Sequence, residues 1–166
     1  MRIVGLPGRN PETEAWLEVL LASVAPDHAE VQVHRYRHWD EDAVPDLAGE
    51  IACAEVKGAD LVVAKSMGTL VLLGAVASGK APDCAVLIGT PLAACGSEER
   101  RALRGLADLI PCCFIQQRED FTGSSAELAE VLGPAATGLN VVEGSDHVYA
   151  DTDELARCIA AWQAEL

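Results

Sequence analysis

Six short apolar runs alternate with helix-forming segments along the chain, and this rhythm predicts an α/β fold, a three-layer αβα sandwich on about six parallel strands. The runs fall at 3–6, 29–33, 61–64, 85–88, 112–116 and 139–142, and several are apolar without interruption, as strands covered on both faces are. A length of 166 residues with 50% apolar and 23% charged side chains supports one core, so 1–166 reads as a single domain.

The intervening segments carry helix punctuation in order. Asn10 before Pro11 has the form of an N-cap followed by proline at the first helical position, and Trp16, Leu17, Leu20, Leu21 and Val24 then make one stripe. Val44, Leu47, Ile51 and Ala54 make a second, stopped at Gly58. The segment 67–78 is apolar nearly all round and ends at Gly79 with Pro82 beyond, the pattern of a helix packed on several sides. Leu103, Leu106 and Leu109 repeat at helical spacing in the next connection. Ser124 with Glu127 forms a capping box closed by Gly133-Pro134, and Asp151 with Glu154 opens a last helix bearing Leu155, Ile159 and Trp162.

Charge narrows the function classes. The 26 acidic and 12 basic residues give a net charge of -14, a field that repels phosphate backbones and anionic lipid and argues against nucleic-acid and membrane partners. The opening Met-Arg-Ile-Val-Gly-Leu-Pro-Gly reaches Pro and Gly too early for a secretory signal, and no apolar run approaches the ~20 residues of a membrane span, so a cytoplasmic location is expected. Cys53, Cys84, Cys95, Cys112, Cys113 and Cys158 then read as reduced, mostly buried thiols. They form no CxxC pair and no Cys/His cluster at zinc-binding spacing, so no metal or cofactor is implied.

In an open α/β sheet the functional residues lie beyond the carboxyl ends of the strands. After the run 61–64 comes Lys65-Ser66-Met67-Gly68 and then the apolar helix. Ala64-x-Ser66-x-Gly68 has the small-x-nucleophile-x-small form of a nucleophile elbow, which would set Ser66 at a helix N-terminus; a plain serine N-cap has the same spelling. A serine hydroxyl needs a base and an orienting acid. Of four histidines, His28, His34 and His38 flank the second run, whereas His147 follows the sixth, where a base belongs. Arg118-Glu119-Asp120 follows the fifth run, between Ser66 and His147 as the Ser, acid, His order of such hydrolases requires; Asp120 is the preferred acid with Glu119 as its nearby competitor, and Asp146 ranks lower because it neighbours the base itself. The oxyanion donors would be the backbone N–H of Met67 and that of Arg9 or Gly8, since Pro7 has none.

Four motifs in order carry a family resemblance over nearly the whole chain: Ala64-Lys65-Ser66-Met67-Gly68; Ile88-Gly89-Thr90-Pro91-Leu92; Phe114-Ile115-Gln116-Gln117-Arg118-Glu119-Asp120 with Gly123 and the Ser125-Ala126-Glu127-Leu128 helix start; and Glu143-Gly144-Ser145-Asp146-His147. The chain resembles a compact α/β-hydrolase family, the dienelactone-hydrolase-like group that includes a testis-expressed protein and a chromatin acetyltransferase complex subunit. The resemblance implies a minimal α/β-hydrolase sheet of order 2-1-3-4-5-6, a nucleophile at Ser66, an acid at Asp120 and a base at His147. Ala64 and Gln117 depart from it, glycine being common at both places.

Lids of this fold are inserted after the fourth of these strands, and the short connection from Thr90 to Leu109 implies a capless, open pocket for a small-molecule acyl substrate. A serine esterase or thioesterase is the leading expectation, and a non-catalytic interaction module on the same scaffold is the alternative. Thiol chemistry at Cys112 or Cys113 lacks a nearby base. The segment 34–39, His-Arg-Tyr-Arg-His-Trp, concentrates basic and aromatic side chains and is a candidate pocket wall, homodimer contact or solvated strand end.

Overall fold

Successive side chains of a strand leave a sheet on opposite faces, so an uninterrupted apolar strand feeds two cores at once. That is what the computed structural model, which describes residues 1–41 and 43–166, displays. The strands are β1 (Arg2–Leu6), β2 (Glu30–Val33), β3 (Leu61–Lys65), β4 (Cys84–Ile88), β5 (Cys112–Gln117) and β6 (Leu139–Val142). All neighbours pair in parallel, in the order β2-β1-β3-β4-β5-β6.

Leu6, Val62, Ala64, Leu87 and Phe114 enter one core, roofed by α3 (Leu47–Cys53), α4 (Met67–Ala77), α5 (Ser97–Leu109) and α6 (Ser125–Leu132). Ile3, Val63, Val86, Ile88 and Ile115 enter the other, roofed by α1 (Glu12–Val24) and α7 (Thr152–Gln163). A four-residue α2 (His38–Glu41) follows β2. The registers Leu6 to Ala64, Lys65 to Ile88 and Gln117 to Val142 bring the carboxyl ends of the central strands to one level, and their loops gather there.

Two details differ from the sequence reading. Helix α1 begins at Glu12, with Pro11 as its cap residue; Asn10 contributes its carbonyl, which accepts Thr13 N–H at 3.1 Å, and not its side chain. The second stripe shrinks to α3, because a residue before proline is driven out of the helical region, and Val44 precedes Pro45. Asp46 caps α3 by accepting Gly49 N–H at 3.1 Å, while Val44 lies outside it and Gly58 sits in a turn beyond it. Edge strand β2, whose run interleaves Glu30 and Gln32 with apolar residues, exposes Glu30, Val31 and Gln32. The connection after β4 forms a 3-10 turn (Leu92–Ala94) and α5, which packs against α4 and α6 as part of the helical layer and not as a cap. Among the described residues no helix is long and apolar enough to cross a membrane.

Candidate active site

Ser66 joins β3 to α4 in a backbone conformation (φ 50°, ψ -113°) that a residue with a Cβ rarely adopts. The turn holds because its surroundings leave no alternative. Ser66 N–H donates to Ile88 O at 3.0 Å, and Gly68 lies so close to β1 that a Cβ there would run into the Leu6 carbonyl. The hydroxyl is thereby presented beyond the strand ends. Gly8, Arg9 and Met67 border the same cavity, of about 900 Å³, in which Ser66 and His147 meet.

Ser66 Oγ lies 2.8 Å from His147 Nε2, and His147 Nδ1 lies 2.7 Å from Asp120 Oδ2. Burial alone would raise the Asp120 carboxyl, but hydrogen bonds from His147, the Thr122 backbone and hydroxyl, and the Tyr149 hydroxyl outweigh it and hold the group at about 2. An ionised carboxylate only accepts hydrogen bonds, which fixes the proton on Nδ1 and leaves Nε2 free to accept from the serine. The competitors have other places. Glu119 is exposed, and Asp146 accepts Gln117 Nε2–H and Val148 N–H, each at 2.9 Å, as a brace within its own loop. Cys112 and Cys113 have thiols pushed up to about 12 by burial, the opposite of an activated nucleophile.

His147 itself has a positive φ of 60°. Side chains from two strands hold its backbone. Its N–H donates to Gln117 Oε1 at 2.9 Å, and its C=O accepts from Lys65 Nζ at 2.8 Å. Lys65 is only 2% exposed and its ammonium stands 4.6 Å above the Tyr149 ring. Burial lowers its pKa to about 8, against the pull of Asp120 and Asp146. Tyr149 closes the circuit: its hydroxyl donates to Asp120 Oδ2 and accepts Gln117 N–H, both at 2.8 Å. Gly89, at the end of β4 with φ 61°, makes the room, since a Cβ there would meet the Tyr149 ring at 2.8 Å.

Sequence reasoning named Ser66, Asp120 and His147, which the fold brings together, and missed the roles of Lys65, Thr122 and Tyr149. The one available signal was a charged lysine closing a continuously buried strand. Gln117, met only as a departure from a family pattern, is the side chain that holds the His147 backbone. The segment 34–39 does not border the cavity at Ser66: Arg37 and His38 line a separate small cavity of about 110 Å³, Arg35 and Arg37 are exposed, and the aromatic side chains turn inward. Tyr36 is fully buried and donates its hydroxyl to Pro7 O at 2.9 Å, while Trp39 Nε1–H donates to Arg9 O at 2.7 Å and His38 Nε2 lies 3.0 Å from the same oxygen. These residues support the 7–9 loop from behind.

The strand order and helical layers are those of the α/β-hydrolase fold. Two solved structures are similar over 99% of this chain. One, a protein from Xanthomonas campestris pv. campestris described as a candidate hydrolase of the alpha/beta superfamily, matches with a TM-score of 0.74 at 15% identity over 99% of its own length. The other, the esterase domain of a Rhodothermus marinus protein, matches with a TM-score of 0.62 at 14% identity over 85% of its length. No protein-family model matches the chain, and no curated protein matches it in sequence.

Proposed function

We propose that the chain is a serine hydrolase that cleaves a small ester or thioester through an acyl-enzyme. The observation that supports this is the continuous line from Ser66 Oγ through both nitrogens of His147 to Asp120, with 2.8 and 2.7 Å separations, opening on the cavity. The dienelactone-hydrolase-like motifs around Ser66, Asp120 and His147 point the same way.

In this reading His147 Nε2 takes the Ser66 proton as Oγ bonds to the carbonyl carbon. The N–H of Met67 and that of Arg9 or Gly8 receive the oxyanion, at the N-terminus of α4. Nε2 returns the proton to the leaving oxygen or sulfur as its bond to carbon breaks. Water then gives a proton to Nε2 and attacks the acyl-enzyme, releasing the acid and restoring Ser66. Asp120 stays ionised throughout and steadies the imidazolium. A fluorophosphonate probe is expected to label the wild type and to leave Ser66→Ala unlabelled. A folded wild type that takes no label and cleaves no simple ester would leave a binding scaffold as the reading.

A further inference from the structure

Of the two phenylalanines, Phe114 is fully buried whereas Phe121 is 73% exposed. The turn that carries Phe121 builds that exposure in. The buried Asp120 accepts the Thr122 N–H and hydroxyl through Oδ1, each at 2.8 Å, and its carbonyl accepts Gly123 N–H at 3.0 Å. Ala93 N–H holds Thr122 O at 2.7 Å, and Gln116 Nε2–H holds Gly123 O at 2.6 Å. Every other residue of the turn is tied inward, so the ring stands at its apex. It meets the His147 ring edge-on at 5.7 Å, and Val148, 56% exposed, borders the same cavity. An aromatic ring left in water forgoes most of the stabilisation its burial would bring, and here the ring sits beside the base.

We propose that Phe121, with Val148, forms the leaving-group subsite, and that the group it receives is an apolar alcohol or thiol. This rests on the serine-hydrolase reading above. Once Oγ has bonded to the carbonyl carbon, the departing oxygen or sulfur must lie within reach of Nε2, which delivers the proton as the carbon–oxygen or carbon–sulfur bond breaks. The body of the alcohol is therefore held next to the imidazole, where Phe121 and Val148 are large exposed apolar side chains. Arg9, Asn10, Glu12 and Thr13, which also line the cavity, come from the segment after β1 and bring polar side chains. The acyl group, which leaves later as the acid, does not share the proton-delivery constraint.

Butyl acetate and 2-methoxyethyl acetate test this, since they form the same acyl-enzyme and differ by a methylene against an ether oxygen. Phe121→Ser, a change outside the core, is expected to lower the butyl to methoxyethyl ratio of kcat/KM by about 3- to 10-fold, the low end for one apolar contact at an open site. The ratio of butyl acetate to butyl propionate, which varies the acyl group, should hold. An unchanged leaving-group ratio, or a shift in the acyl ratio instead, overturns the subsite. Fluorophosphonate labelling of wild-type Ser66 runs alongside, because its leaving group is fluoride. Label with an unchanged ratio overturns the subsite alone, whereas neither label nor ester cleavage overturns the hydrolase reading and the subsite with it.

Discussion

The elbow turn at Ser66 and the loop at His147, proposed to carry the nucleophile and the base, both hold a non-glycine residue at positive φ, 50° and 60°, yet they are held by opposite means. The elbow is fixed by steric closeness: a sheet hydrogen bond, a glycine pressed on β1 and an apolar helix behind it. The base loop is fixed by polar side chains reaching in from β3 and β5. Strain enforced by packing belongs to the folding free energy of the whole domain, whereas strain enforced by a few hydrogen bonds can be released locally. The elbow should therefore fail by unfolding and the base loop by losing activity in a folded protein.

Four substitutions probe that contrast. Asp120→Asn keeps the shape of the acid but removes the charge that fixes the His147 tautomer, and kcat is expected to fall about 10⁴-fold while the thermal melt stays cooperative. Gly68→Ala should cost about 3 kcal/mol, because the added Cβ must displace backbone of β1, and a urea titration reads it as a lowered midpoint. A stable Gly68→Ala with reduced kcat would break the contrast. Gln117→Ala removes the grip on the His147 N–H and should lower kcat roughly 10- to 100-fold, with KM little changed and stability within about 1 kcal/mol. Lys65→Met should lower kcat roughly tenfold.

The same lysine gives a signed pH dependence. Its folded pKa, about 8, lies below the ordinary 10.5, so the folded state carries the cost of the buried ammonium below about pH 8 and sheds it as pH rises toward 10.5. Lys65→Met is thus expected to gain stability relative to wild type at neutral pH and to lose that advantage above about 8, as urea midpoints across pH would read. Asp120 works the other way. Held at about 2 against 3.8, it stabilises the fold above about pH 4, and that contribution disappears as pH falls toward 2.

What the chain discloses before folding follows the same division. Ser66 is legible because the elbow is local: an apolar strand, small flanks and a helix lie within a dozen residues. Asp120 and His147 are legible because their order and their place after strand ends restrict the choice. Lys65 and Tyr149 are not, since their partners lie 82 and 29 residues away and no spacing announces such contacts; Thr122 sits only two residues from its partner Asp120, but an Asp-x-Thr turn spells an ordinary loop. The aromatic segment 34–39 shows its composition but not its use, because its targets are the backbone carbonyls of Pro7 and Arg9, 29 and 30 residues away, which any sequence possesses. The second stripe looks longer than α3 because its apolar spacing runs through Pro45, which the helix itself cannot do.

The sheet order has one further effect. The chain leaves β1 for α1 on one face and leaves β3 for α4 on the other, although the two strands are neighbours. At such a switch point the two connections part company, and the gap between them is open without any residue being removed to make it. The loop that carries Gly8 and Arg9 forms one bank and the turn at Ser66 the other. The crevice is thus a by-product of winding direction, which leaves the surrounding loops free to vary what it accommodates without having to create it.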